Sequence, residues 1–456
     1  MRNILSLITF LLLSSFITGQ DLSVYSTEGV PYTMVNPDID DPSEEWCYAP
    51  KSTVVIGMPF VPEPVQVLYD ASIFSGEHEL CFFYGKNHQS ISARQRTFYK
   101  GWIPIVQYDW TKDNIHYFIE MFSTSLPELG GAKNTLQLAR FRAVNQSSSK
   151  KEVILQTATR RTGIDHRMGG VTIEPDQSFK FENNRFYRNG KMIFVCSPEG
   201  SRWTEDVSNL HDEPKENRDR LVGTVTYRKE LAAEESFEFT CAFPRVPLIE
   251  QKAIQAVSEV DYEEEFSATV DYWKRLVEAQ CDFEIPEGRV NDTYKAGLVH
   301  LILATRKKAG EDKKRQGSGL PYDGLFLNDF VDMRLIYDFA NLEEMVKPNI
   351  DWLIDQQIES GMFVDKSLSH GQEILTSHGQ ALYSMTHHYI MNREKAYARR
   401  VLPHVKKAVE WMIHEHETDE YGLLPPSPAF DAEMINGHYT SHNLWCILGV
   451  SSAIRF

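Results

Sequence analysis

The pattern of apolar and polar residues divides the chain into two parts. Between residues 46 and 248, short runs alternate with a period of two or are rich in β-branched and aromatic residues, and turn residues separate them. Asn189-Gly190 between two apolar runs predicts a hairpin with a type I′ turn, which needs positive φ at both central positions. About a dozen strands without helical patterns between them predict a large antiparallel sandwich. Besides this hairpin, the predicted strands are 53–60, 65–74, 80–84, 102–110, 116–122, 136–144, 153–159, 221–231 and 237–243.

The second part follows a helical period. The acidic run 261–265 is typical of a solvated helix start, and residues 266–280 place their apolar side chains on one side of a helix. Ile285-Pro286 ends that pattern, and a four-residue apolar spacing resumes at Val290. No strand is predicted from there to residue 456. We therefore expect a β-sandwich domain over 21–260, a linker helix over 261–284 and a helical domain over 285–456.

The helical part contains an internal repeat. Short matches recur in the same order at a period of roughly 50–64 residues, which favours repeated helical hairpins. The matches are Asp351-Trp352-Leu353-Ile354 with Glu410-Trp411-Met412-Ile413, Asn341 with Asn392, Thr376-Ser377-His378 with Thr440-Ser441-His442, and Gly361 with Gly422. Six such hairpins can close into an (α/α) toroid, and this chain supplies about three of them. The predicted fold class is therefore an N-terminal antiparallel β-supersandwich followed by an incomplete (α/α)6 toroid.

The N-terminus and the composition bear on where the protein acts. Arg2, the apolar run 4–16 and the small-residue site 17–20 are typical of a secretory signal peptide over residues 1–20. No later apolar stretch is long enough to cross a bilayer, so a secreted or periplasmic protein without a membrane span is expected. The formal net charge of −17 argues against nucleic acid as a partner. The six cysteines include no C-x-x-C pair, and their spacing leaves the disulfide pairing open.

The order of the parts and two motifs resemble the six-hairpin glycosidase superfamily, and most closely its glucoamylase-like group. The segment G-L-P-Y-D-G-L-F-L-N-D (319–329) is similar to a Tyr-rich family segment that ends in Arg-Asp. The resemblance implies that Asp329 binds the sugar in the −1 subsite, with Asn328 in the place of the family's Arg. The segment D-A-E-M-I-N-G-H-Y-T (431–440) is similar to the family's acidic loop. There the resemblance implies that Glu433, or else Asp431, is the general acid.

Residue chemistry gives partial support to the same site. Glycoside hydrolysis needs two carboxyl groups at the scissile bond, one of them protonated, and the loop around Glu433 is stiffened by three prolines. Both acidic segments precede predicted inner helices, whose free backbone N–H groups would face a ligand. The candidate site residues are catalytic Glu433 and Asp431, with substrate-binding Tyr322, Asn328, Asp329, His378, Gln380 and His442. His378 and Gln380 are expected at the rim of the cleft, and the alternative for Asp329 is to cap a predicted helix over 330–339. No metal site is expected, because His414-Glu415-His416 lacks the i,i+4 spacing of a helical metal motif. No cofactor is expected either.

Three functions remain open at this point. The first is an exported glycoside hydrolase that acts with inversion on a carbohydrate. In the family the general base belongs to a later hairpin, and this chain resembles a family member truncated at its C-terminus. The second is a polysaccharide lyase, and the third is a non-catalytic glycan-binding relative. An incomplete ring would also expose inner-helix side chains and favour self-association. The side chains in question are Leu382, Tyr383, Met385, Leu444, Trp445 and Ile447.

Overall fold

The computed structural model describes most of the chain from residue 54 to residue 456. The stretches outside the description are 1–53, 63, 69, 77, 87–88, 92–95, 132–133, 161–177, 198–200, 205–220, 279–283, 308–313, 318–326, 365–374 and 428–435. The predicted signal peptide, Tyr322, Asp431 and Glu433 therefore lie outside the described residues, as do Cys47 and Cys281.

The N-terminal part forms two antiparallel sheets of eight strands each within the described residues, as the alternation predicts. The first sheet has the order β1-β2-β3-β4-β10-β15-β14, with β5 paired to β4. Its strands are β1 (Val54–Ile56), β2 (Val65–Val67), β3 (Ile73–Phe74), β4 (Glu79–Tyr84), β5 (Gln89–Ser90), β10 (Lys151–Arg160), β14 (Ser201–Thr204) and β15 (Leu221–Leu231).

The second sheet has the order β11-β12-β13-β16-β9-β8-β7-β6. Its strands are β6 (Arg96–Tyr99), β7 (Ile103–Lys112), β8 (Ile115–Thr124), β9 (Leu136–Asn145), β11 (Phe179–Glu182), β12 (Arg185–Arg188), β13 (Lys191–Cys196) and β16 (Ser236–Pro244). Asn189 and Gly190 both have positive φ, 50° and 75°, in the turn between β12 and β13, as the predicted type I′ turn requires.

Apolar side chains from both sheets fill the space between them. Val106, Ile119 and Phe141 of the second sheet belong to the same buried cluster as Phe82 and Tyr227 of the first. Aromatic pairs contribute to this core, and the rings of Tyr227 and Phe239 stack with centroids 4.2 Å apart. Aromatic stacking therefore contributes to the packing of the two sheets against each other.

The opposite face of the second sheet is covered by helices. Ile105, Phe122 and Leu138 are buried on that face, in one continuous cluster with Trp273 and Leu298 of the helical part. This sheet is therefore buried on both sides, and the two parts of the chain share a core.

Eight helices follow within the described part of the chain. They are α1 (Gln251–Ser258), α2 (Tyr262–Val277), α3 (Gly288–Ala304), α4 (Leu327–Phe339), α5 (Glu343–Asp355), α6 (Leu375–Asn392), α7 (Lys395–Thr418) and α8 (Thr440–Arg455). Helix α2 starts where the acidic run predicts it, and the Asp261 side chain caps it by accepting a hydrogen bond from Glu264 N at 2.9 Å. None of the described helices has the length and apolar character needed to cross a membrane.

Several local predictions were wrong. The predicted strand 65–74 is interrupted by a turn in which Ala71 has a φ of 63°. Helix α1 was not predicted, and a two-stranded ribbon, β17 (Thr305–Lys307) and β18 (Lys314–Gln316), occupies a stretch expected to hold no strand. The repeat is also offset by one residue, because Arg393 (φ 58°), and not Asn392, corresponds to the left-handed Asn341 (φ 53°) between the helices of a hairpin.

A polar network joins the covered face of the second sheet to α2. Gln107, Glu120 and Arg140 lie in register on three neighbouring strands, β7, β8 and β9. Glu120 accepts hydrogen bonds from Gln107 Nε2 at 2.6 Å and from Arg140 Nη2 at 3.0 Å. From α2, the Tyr262 hydroxyl donates to Glu120 at 3.1 Å, and Glu263 pairs with Arg140. The buried carboxylate of Glu120 is thus satisfied from both the sheet and the helix.

A second constraint holds α6 against α8. A Cβ atom at Gly379 would lie 2.4 Å from the carbonyl carbon of Trp445, and one at Gly449 would lie 2.7 Å from Gly379 O. Further along, Thr386 Oγ1 donates to Ser452 Oγ at 2.7 Å. The two helix backbones are therefore in direct contact, and small residues are required at the crossing.

Replacing Gly379 by Ala should separate α6 from α8 and lower the free energy of unfolding by about 1–3 kcal/mol, the usual cost of overpacking. The matched control is Gly297→Ala in α3, where an added Cβ meets nothing within 4 Å. That substitution should stabilise the protein by about 0.5–1 kcal/mol, since Ala favours helix over Gly. Urea unfolding measures both, and a Gly379→Ala protein as stable as the control would contradict the close packing.

Replacing Arg140 by Ala should lower the free energy of unfolding by about 3 kcal/mol or more, because it leaves the buried Glu120 carboxylate without its cation. The side chains of Arg140 and Glu120 are only 18% and 3% exposed. The control is Arg142→Ala on the same strand, whose pair with Glu238 spans 4.0 Å between side chains 48% and 46% exposed. That change should cost no more than about 0.5 kcal/mol. An equal loss of unfolding free energy in the two variants would contradict a stabilising role of the buried network.

Candidate functional site

Helices α4, α6 and α8 lie side by side and run in the same direction. Arg334 contacts Ser384 and Asp338 contacts His388, so a step of four residues along α4 matches a step of four along α6. Between α6 and α8, the contact of Gly379 with Trp445 is followed by that of Thr386 with Ser452. The three helices therefore begin at the same end of the helical layer, where the positive ends of their dipoles converge.

The two acidic motifs meet this end of the helices. Asn328 and Asp329 are the second and third residues of α4, so Asp329 lies within the first turn of a helix that was predicted to start at residue 330. The second motif leads into α8, which begins at Thr440, the last residue of the motif. Both motifs are thus attached to the N-terminal ends of neighbouring parallel helices.

The loop that carries Asp431 and Glu433 is closed at its base. Ser427 N donates to Gly437 O at 2.9 Å, and Gly437 N donates back to Ser427 O at 3.0 Å. Next to this bridge, Asn443 of α8 accepts a hydrogen bond from Leu424 N at 3.1 Å. The two ends of the loop are therefore tied to each other and to the start of α8.

His378 lies in the interior and uses both ring nitrogens. Phe363 N donates to Nδ1 at 3.0 Å, and Nε2 lies 3.1 Å from Ala408 O, so the neutral ring carries its proton on Nε2. Burial lowers the pKa of His378 to about 3, against the opposing effect of the Ala408 hydrogen bond. The ring joins α6 to the exit of α5 and to α7, and it offers neither nitrogen to a ligand at the rim of a cleft, the position expected from the sequence.

Gln380 and His442 are buried as well, near the beginnings of α6 and α8. Gln380 Oε1 receives no hydrogen bond in the described part of the protein. His442 packs against Tyr439, with ring centroids 5.2 Å apart. The structure therefore brings His378, Gln380 and His442 to one end of two neighbouring helices, but below the surface.

A buried charged network between α4 and α6 was not predicted. Arg334 Nη1 donates to Asp338 Oδ2 at 2.6 Å, and the other carboxylate oxygen lies 2.6 Å from His388 Nδ1. Asn392 Nδ2 lies 2.8 Å from His388 Nε2, which places the His388 proton on Nδ1. Although burial acts in the opposite sense, hydrogen bonds from His388 and the charge of Arg334 hold the pKa of Asp338 below its usual range. The only sequence signal is the i,i+4 spacing of Arg334 and Asp338, which is equally typical of a solvated helix face.

The inner helices differ in how far they are covered. Leu382 and Met385 are fully buried under neighbouring helices, contrary to the expectation that an open ring would expose them. Leu444 and Ile447 of α8, in contrast, are 60% and 59% exposed.

A groove of about 590 Å³ between α7 and α8 lies near Phe456, at the opposite end of α8 from the acidic loop. Self-association through α8 stays a prediction, which sedimentation velocity would test.

No group of His, Cys, Asp and Glu suited to a metal ion occurs among the described residues. No family model matches the sequence, and no curated protein matches it.

Two solved structures give weak similarities. A candidate kojibiose phosphorylase from the human microbiome is 8% identical with a TM-score of 0.45, over 78% of this chain and 56% of that one. A candidate member of the GH105 family from Salmonella enterica subsp. enterica serovar Paratyphi A is 13% identical with a TM-score of 0.26, over 37% of this chain and 51% of that one. This chain thus spans little more than half the length of either protein. The similarities are too low to assign a fold or an activity.

The neutral state of His378 predicts a pH dependence of stability. Its pKa is about 3 in the folded protein against 6.5 for the ordinary side chain, so the unfolded chain binds a proton that the folded chain does not between these values. The stabilisation is therefore complete above pH 6.5 and is lost as the pH falls, at ~1.4 kcal/mol per pH unit.

His378→Gln should reduce the slope of unfolding free energy against pH by that amount between about pH 6 and about pH 4. Urea titrations at several pH values measure the slope. His378→Asn is the second variant, and it should show the same shallow slope even if its stability differs. A slope unchanged from wild type in both variants would show that His378 does not titrate as described.

Proposed function

We propose that this chain carries the sandwich and part of the catalytic ring of a glycoside hydrolase. Glu433, or else Asp431, protonates the glycosidic oxygen, and Asp329 binds the sugar next to the scissile bond. Direct attack by water with inversion is the mechanism that the family resemblance implies. The general base that activates this water is assigned to no residue of this chain.

The arrangement of α4, α6 and α8 is the observation that supports this proposal most directly. Asp329 lies in the first turn of α4, and the closed loop of Asp431 and Glu433 leads into the first residue of α8. Because these helices are parallel neighbours of α6, the helix starts to which the two acidic segments are attached lie at the same end of one layer. Converging N–H groups and carboxyl groups at such an end can bind the hydroxyl groups of a sugar.

In this proposal some of the other predicted residues bind the sugar, and others support the site from the protein interior. Tyr322, from the segment before α4, and Asn328, the second residue of α4, bind the sugar together with Asp329 in this proposal. Gln380 lies below that surface, and its Oε1 is available as an acceptor for a hydroxyl group. His378 and His442 support the site from behind, because both are buried and His378 uses both ring nitrogens for backbone groups.

The two alternative functions make different products. A polysaccharide lyase would create an unsaturated uronide with ultraviolet absorbance, and a binding-only relative would create no product at all. Purified chain is incubated with oligosaccharides of glucose, galactose, mannose and uronic acids in α and β linkage. New reducing ends without ultraviolet absorbance indicate hydrolysis, new reducing ends with it indicate elimination, and binding without either indicates a glycan-binding protein.

Asp329→Ala should weaken the binding of the preferred oligosaccharide by at least ~10-fold, because charged hydrogen bonds to the sugar are lost. Asp332→Ala, one turn further along α4 at an exposed position, is the matched control and should bind within about twofold of wild type. Isothermal titration calorimetry measures both. Failure of wild type to bind any oligosaccharide, or an equal loss in the two variants, would overturn the proposal.

Glu433→Gln should reduce hydrolysis by roughly 10²–10⁴-fold with little loss of binding, since the amide cannot donate the proton to the leaving oxygen. The comparison is made in whichever form of the protein turns over, either this chain or a longer product that contains it. The control is Glu417→Gln, an exposed residue near the end of α7. Unchanged turnover in Glu433→Gln would eliminate this residue as the acid.

A further inference from the structure

Two cysteines lie directly opposite each other on neighbouring strands of the second sheet. Cys196 is the last residue of β13, and the antiparallel register places it across from Cys241 of β16. Both side chains are nearly inaccessible to solvent and belong to the core between the two sheets. Residues opposite each other in a sheet point to the same face, so the two thiols face the same part of the core.

The hydrogen bonds between β13 and β16 show whether Cys196 and Cys241 form a hydrogen-bonded or a non-hydrogen-bonded pair. Ser197 N donates to Thr240 O at 2.9 Å, so the next pair along the two strands is the hydrogen-bonded one. Cys196 N donates away from β16, to Asn184 O at 3.0 Å. Because bonded and non-bonded pairs alternate in an antiparallel ladder, Cys196 and Cys241 form a non-hydrogen-bonded pair.

That geometry suits a disulfide bond. Cα atoms of a non-hydrogen-bonded pair are about 4.5 Å apart, and disulfides span roughly 4.4–6.8 Å between Cα atoms. The side chains of such a pair are also the closest across a sheet. Rotation of the two side chains can therefore join the sulfur atoms without movement of the backbone.

The other two described cysteines lie at different places in the fold. Cys81 of β4 lies across from Ala158 of β10, and Cys446 of α8 lies at the contact with Gly379 of α6. Each is remote from the Cys196–Cys241 pair in the strand and helix order. The register thus selects one pairing among these four residues, a choice that the spacing in the sequence leaves open.

We propose that Cys196 and Cys241 are a modification site at which a cross-strand disulfide forms while the chain folds in the presence of a disulfide oxidant. This proposal does not depend on the proposed function. The oxidant is a small-molecule disulfide or the disulfide of an oxidoreductase. One thiolate of the pair attacks it and displaces a thiol, and the second thiolate attacks the mixed disulfide and displaces the other thiol. The two cysteines lose two electrons and two protons, and the oxidant is reduced to two thiols.

The fold also determines when the bond can form. Both residues are thiols in the structure. Burial raises the pKa of Cys196 to about 11 and raises that of Cys241, so the reactive thiolates are scarce once the sheets have closed. Exchange is therefore fastest before the sandwich is complete, and a bond formed then is protected from reductants afterwards.

The full chain, denatured and reduced, is refolded in a buffer of oxidised and reduced glutathione to test this proposal. Remaining thiols are blocked by alkylation, and the protein is digested and mapped by mass spectrometry without reduction. The expected result is a linked pair of peptides carrying Cys196 and Cys241, with Cys81 and Cys446 alkylated. Cys81→Ser is the control variant and should retain the link.

Thermal unfolding gives a second readout that needs no variant. The bond closes a long loop of the unfolded chain, so protein refolded in dithiothreitol, which keeps both thiols reduced, should melt about 5–10 °C below protein refolded in the glutathione buffer. Recovery of Cys196 and Cys241 as alkylated residues in soluble refolded protein, or linkage of either one to a different cysteine, would overturn the proposal.

Discussion

Burial of both faces of the second sheet is the constraint on which the rest of the structure depends. One face packs against the first sheet, and the other is covered by the helices that follow in the chain. Apolar burial is not directional, so it does not by itself determine how the covering helices are oriented. The polar network of Gln107, Glu120 and Arg140 fixes the orientation of α2. The buried Glu120 carboxylate accepts a hydrogen bond from the Tyr262 hydroxyl, and Arg140 pairs with Glu263. The first turn of α2 is therefore positioned on the sheet by a hydrogen bond and an ion pair.

Helix α6 organises the second half of the molecule in two different ways. Towards α4 it presents Ser384 and His388 to a buried arginine and aspartate, and towards α8 it presents the bare backbone at Gly379. The first contact specifies which residues face each other, and the second allows the closest approach of two helices. Both contacts keep the three inner helices parallel, and this parallel arrangement brings the starts of α4 and α8 to one end of the layer.

Much of the fold could be predicted from the sequence, and the misses have identifiable causes. Period-two alternation predicts most of the long strands because each has a side facing the core. Helix α1 escaped prediction because it has only eight residues, with Ala253, Ile254 and Val257 buried, too short for a period to stand out. The β17–β18 ribbon is rich in Lys and Arg, a composition that favours a loop when the pairing partner is unknown. The sequence also placed His378 at a cleft rim, because a polar residue near a helix start is more often solvated than enclosed.

Local sequence patterns were enough to predict a β part followed by a helical part, the position of the Asn189-Gly190 turn, and the attachment of both acidic segments to helix starts. These features follow from local periodicity and turn chemistry, which act over a few neighbouring residues. Three features became visible only in the assembled fold: the enclosure of His378 by Phe363 and Ala408, the burial of Arg334 and Asp338 against α6, and the position of Cys241 across from Cys196. Each of these depends on a partner from a different element of the chain. Register between strands and crossing between helices decide such pairs, because burial and hydrogen bonding are settled only when separate elements come together.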